Sequence, residues 1–114
     1  AEAALFARLG YRVVAISASA RSARRGEAVP FQIEIAAAPV ASNGLPPPGR
    51  HVVNLEVTDP NGQRHPLYSR NVEVLGGKLD GAIHTALNDP RGAWRLVARE
   101  VVSGMTDRTT FRLR

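Results

Sequence analysis

The chain has 114 residues, 44% of them hydrophobic, and a formal net charge of +5. That length fits one domain around one modest core, and that apolar content excludes a disordered segment. Cysteine is absent, which excludes disulfides, thiolate metal sites and a cysteine nucleophile.

Residues 1–10, AEAALFARLG, are the one helical stretch. Ala, Leu, Glu and Arg favour helix, and Gly10 sits where a C-terminal stop belongs. They are expected to be a linker helix or the tail of a preceding domain, with residues 11–114 as a single β domain. From Tyr11 the texture changes to short runs of period two, separated by Gly, Pro, Asn and Asp. YRVVAISAS (11–19) is the first run. In AVPFQIEIAAA (28–38), Val29, Phe31, Ile33 and Ile35 share one face, with Gln32 and Glu34 on the other. The loop 39–49 contains three consecutive prolines, which cannot donate to a sheet. HVVNLEVT (51–58) alternates again, with Val53, Leu55 and Val57 on the inward side.

Asp59-Pro60-Asn61-Gly62 then reads as a type I turn: Asp at the first position, Pro pre-setting the backbone at the second, Gly at the fourth. Residues 64–75 are expected to hold one or two short strands, followed by a Gly-Gly-Lys turn. GAIHTALN (81–88) is expected to be a strand with Ile83 and Leu87 inward. Asp89-Pro90-Arg91-Gly92 repeats the turn signature and leads into AWRLVAREVV (93–102), where Trp94, Leu96 and Ala98 share a face. Val101 and Val102 break the alternation, so a bulge or a strand end belongs near Glu100. RTTFRLR (108–114) closes the domain with Thr109, Phe111 and Leu113 inward.

About seven short strands with turn signals between them give an all-β fold, an immunoglobulin-like antiparallel β-sandwich with a short N-terminal helix or linker. No helical pattern alternates with the strands, against an α/β sheet. The two turns are expected to join neighbouring strands, the second aiming Trp94 into the core, where its packing anchors the two sheets.

The stretches HVVNLEVTDPNGQ and GAIHTALNDPRGAWRLVAREVVSGMTDRTTFRLR resemble a pattern of immunoglobulin-like modules in large bacterial proteins and of macroglobulin-type domains. In that pattern a strand ends in V-x-D-P-x-G, and D-P-x-G-x-W-x-L precedes a last strand ending in F-x-L. The lead-in RVVAISASARSARRGEAVPFQIEI is similar to their opening, and the resemblance covers residues 12–114. It implies a non-catalytic accessory module of an exported multidomain protein, with neighbouring domains as its partners. The chain begins with Ala1 and shows no secretory leader pattern, so it reads as an excised domain or a processed product.

Little in the chain points to a reaction. His51, His65 and His84 have no metal-ligand spacing. No G-x-S-x-G elbow accompanies any Ser-His-Asp set, and the Ca²⁺ loop pattern is not completed around Asp59 or Asp89. Glu34, Glu56, Glu73 and Glu100 are read as mostly outward, solvated strand residues. Neither an enzyme nor a cofactor is expected, and no apolar run is long enough for membrane insertion. Fourteen of the fifteen basic residues are arginine, but they are spread along the chain without a basic helix or aromatic stacking residues, which argues against nucleic acid.

Two surfaces remain. If the third, sixth and last strands share a sheet, Glu56, Arg95, Arg99 and Arg112 share its outer face. They would form a cross-strand ion-pair ladder, read as a solubilising face or as a docking face for an acidic partner. The loop with Asn43, Leu45, Pro46, Pro47 and Pro48 is the second, since loops carry binding in such folds. The expected function is a structural or interaction module that spaces or docks a functional domain; the alternative is binding of a carbohydrate or cell-surface polymer.

Overall fold

β-Branched and aromatic residues alternating with polar ones suit a pleated surface buried on one side, and the chain follows that pattern almost throughout. The computed structural model describes residues 11–39 and 49–114. The expected helix 1–10 and the loop residues Asn43, Leu45, Pro46, Pro47 and Pro48 lie outside the described residues. The strands are β1 (Tyr11–Ala20), β2 (Ala28–Pro39), β3 (Arg50–Thr58), β4 (Arg70–Leu75), β5 (Lys78–His84), β6 (Gly92–Glu100) and β7 (Thr106–Leu113). All ladders are antiparallel, in the order β1-β2-β5-β4-β3-β6-β7.

The joint in that order is between β4 and β5, which pair only at Leu75↔Lys78. Gly76 and Gly77, with φ of 67° and 85°, form the two-residue connection there. A two-residue hairpin of this hand needs positive φ at both centres, which glycine supplies without steric cost. The outer strands come together at the far end of the order. Ala23 bridges Leu113, the Arg112 amide donates to Ser22 Oγ at 2.8 Å, and the Ala18 amide donates to Asp107 Oδ2 at 2.8 Å. The sheet is therefore nearly closed.

The interior is one apolar cluster drawn from every strand. It includes Val13 and Ile16 of β1, Val29, Phe31, Ile33 and Ile35 of β2, Val53, Leu55 and Val57 of β3, Val74 of β4 and Ile83 of β5. Trp94, Leu96 and Ala98 of β6 and Phe111 and Leu113 of β7 complete it. Trp94 is 1% exposed. Its ring stacks near that of Phe111, with centroids 6.0 Å apart. Its indole N–H donates to Pro90 O at 2.9 Å, so the anchor is a hydrogen bond as well as packing.

Three expectations are corrected. The strand expected over 81–88 runs instead from Lys78 to His84. Leu87, expected inward, is 79% exposed, because the Asp89 carboxylate takes the Ala86 amide at 2.8 Å and bends the chain out of the sheet. Residues 64–75 hold one short strand, β4, as expected, preceded by a turn over 65–69 closed by the Tyr68 and Ser69 amides on His65 O. Asp59-Pro60-Asn61-Gly62 does form the expected turn, with Gly62 N donating to Asp59 O at 3.0 Å, and the chain returns to pair with β3. Asp89-Pro90-Arg91-Gly92, by contrast, leads from β5 to β6, which are not neighbours in the sheet.

Phe31 lies directly across from Gly81, and a Cβ at Gly81 would press into the Phe31 ring. Gly81 therefore leaves room for the tip of the Phe31 ring over the neighbouring strand. Gly81→Ala should cost about 1–3 kcal/mol in urea unfolding, as overpacking does. Combined with Phe31→Leu, the double variant should lose less than the sum of the single losses.

Candidate functional site

β6 lies between β3 and β7 with Thr58↔Arg95 and Asn54↔Arg99 on one side and Trp94↔Phe111 and Ala98↔Asp107 on the other. Successive side chains alternate between faces. Even-numbered β6 residues point inward, and Arg95, Val97 and Arg99 point outward. Along β7, Thr106, Arg108, Thr110 and Arg112 are the exposed set. The expected sharing of one sheet by the third, sixth and last strands holds, and Glu56, Arg95, Arg99 and Arg112 lie on the same outer face.

The ion pairing on that face differs from the expected ladder. Glu56 lies across from Val97, diagonal to Arg95 and Arg99, yet its Oε1 is 3.9 Å from Arg64 Nε, on the chain returning from the first turn. Arg50 pairs with Glu73 at 3.7 Å. Among the described residues, no ion pair holds Arg95, Arg99, Arg108 or Arg112. Arg108 is the member missed from sequence. Its place follows from the β7 alternation that puts Phe111 and Leu113 inside, since Arg108 then shares a face with Arg112.

Below β6 a part-buried polar cluster ties two turns together, with His65 Nδ1 left without a hydrogen-bond partner. Asp89 accepts from the Tyr68 hydroxyl at 2.6 Å and from the Ala86 amide at 2.8 Å. His65 stacks on Tyr68 with ring centroids 3.8 Å apart, and its Nε2 is 3.8 Å from Asp89 Oδ1. Ser69, the hydroxyl nearest in sequence, receives the Val57 amide at 2.9 Å. This histidine and aspartate thus serve as a clasp between the turns 65–69 and 86–90, packed against Trp94. Burial first, and then the hydrogen bond to Asp89 and its negative charge, push the Tyr68 phenol from 10.0 up to about 12.

At the other end of β6, Glu100 is 1% exposed, which corrects its expected outward place. It shares the parity of Trp94, Leu96 and Ala98, and the strand ends on it. Its carboxylate accepts the Val102 amide at 2.6 Å and the Ser103 amide at 3.3 Å, and lies 3.5 Å from His51 Nδ1. His51, also buried, is thus held beside a carboxylate. Among the described residues, no group of three or more His, Asp or Glu converges on a metal position. No family model matches the chain, and no curated protein is detectably similar to it.

Three outcomes follow from these two buried clusters. Since the folded state holds the Tyr68 phenol neutral, its stabilising effect is complete below pH 10 and is lost as pH rises toward about 12. Ultraviolet difference titration of the chain against Tyr68→Phe should show that delayed ionisation, and the variant should lack the corresponding alkaline loss of stability. Asp89→Ala and Glu100→Ala should each lower unfolding free energy by about 1–3 kcal/mol, because each strands part-buried donors.

Proposed function

We propose that this chain is a non-catalytic, immunoglobulin-like module that spaces or docks a functional domain through the outer face of β3, β6 and β7. The sandwich reading draws support from the strand order. The order parts at the single β4–β5 pair, leaving β1-β2-β5 on one side and β4-β3-β6-β7 on the other, linked by the crossovers β2–β3 and β5–β6. A three-plus-four antiparallel arrangement with such crossovers is the layout of immunoglobulin-like sandwiches.

The observation that carries the docking reading is the set of exposed arginines on one face that no ion pair holds among the described residues. Like charges crowded on a sheet repel one another. An acidic partner relieves that repulsion and gains charge-assisted contacts. The carbohydrate alternative has less to stand on: Phe31, Trp94 and Phe111 are buried in the core, and the Tyr68 hydroxyl is held by Asp89.

The test is to express the complete reading frame and follow the arginine side-chain Nε–Hε NMR signals. Those of Arg95, Arg99 and Arg112 should differ between the complete protein and this chain alone, and should converge at high salt as the contact is screened. Unshifted signals, or a frame that encodes no further domain, would contradict the docking reading.

A further inference from the structure

The arginines are not merely clustered; they are evenly spaced. Arg112 lies across from Ala93, Arg95 across from Thr110, Arg108 across from Val97, and Arg99 across from Thr106. Taken along the strand axis, the order is Arg112, Arg95, Arg108, Arg99. Each lies two residues beyond the last, alternating between β7 and β6. Two residues of antiparallel strand advance about 6.8 Å, and neighbouring strands lie about 4.8 Å apart. The four arginine positions on the backbone therefore form a shallow zigzag about 20 Å long with an even axial step. The positions between them on this face are Ala93, Val97, Thr106 and Thr110, small and uncharged.

We infer that this zigzag binds an extended acidic peptide whose carboxylates recur at every second residue. The inference rests on the docking reading above and adds the chemistry of the partner. Side chains at i, i+2, i+4 and i+6 of an extended chain project to one side at the same axial step of about 6.8 Å. Each such carboxylate meets one guanidinium with no change of register along the run. Arginine suits the role better than lysine, since its planar fork matches a carboxylate bidentately. Glu56, the acid nearest this row on β3, is directed to Arg64 and leaves the zigzag positive. A single-stranded nucleic acid also carries regular charge, but proteins that hold one add aromatic platforms for its bases. The outward residues of β6 and β7 include no aromatic side chain.

The experiment uses three labelled probes in fluorescence anisotropy at low salt: an octapeptide alternating Glu and Thr, its isomer with all the Glu residues in one block, and oligodeoxythymidine. The alternating peptide should bind about tenfold tighter than the block isomer. That preference should disappear in Arg95→Gln/Arg108→Gln, whose unchanged thermal unfolding would show the fold to be intact. Equal affinity for the two isomers would overturn the spacing argument while leaving an acidic docking face in place. Tighter binding of the oligonucleotide would overturn the peptide assignment. Failure of every anionic probe would overturn the inference, and unshifted arginine signals in the complete protein would remove the docking reading as well.

Discussion

The register of β6 between β3 and β7 is the constraint on which the rest depends. Side-chain period is two, so a slip by one residue would exchange the faces of the strand. Trp94, Leu96, Ala98 and Glu100 would go to water, and Arg95 and Arg99 would enter the core without partners. Burying an unpaired charge is costly enough to forbid that arrangement. Two polar pins at the ends of the inward row reinforce the choice. At the start, the Trp94 indole N–H reaches Pro90 O. At the end, Glu100 gathers the Val102 and Ser103 amides. The strand is thus fixed by its apolar face along its length and by hydrogen bonds at each end.

That division of labour separates stability from the proposed recognition. The groups that would suggest catalysis in isolation, His65 beside Asp89 and His51 beside Glu100, lie inward and are occupied in holding turns. Tyr68 and His65 stack against each other under Trp94, so the turn 65–69 is tied to the core. Arg95, Arg99, Arg108 and Arg112, which no ion pair holds among the described residues, lie outward on β6 and β7. A single alternation produces both: each inward apolar residue that stabilises the sheet places an outward arginine or a small neutral residue beside it.

The strands were legible where alternation was strict. Val53, Leu55 and Val57, Trp94, Leu96 and Ala98, and Phe111 and Leu113 were all assigned to the face they occupy. The outer face with Glu56, Arg95, Arg99 and Arg112 followed from the same period. Legibility failed where a side chain outside the pattern decided the backbone. Leu87 continues an apolar alternation, but Asp89 captures the Ala86 amide and ends the strand early. Glu100 looks like a solvated acid by residue type, although its parity already placed it inside. The second Asp-Pro-x-Gly looked like the first, yet its aspartate is spent on Tyr68 and Ala86, and it leads to a strand elsewhere in the sheet. The partner of Glu56 was not readable at all, because Arg64 comes near only through the turn geometry after β3.

Because the chain has no cysteine, thiol labelling of single-cysteine variants along β6 and β7 tests the central claim most directly. With the register described, cysteines at positions 95, 97, 99, 108, 110 and 112 should react fast in the folded protein. Cysteines at 94, 96, 98, 111 and 113 should react only upon unfolding. A pattern displaced by one residue on either strand would turn the arginines away from the outer face and contradict the account.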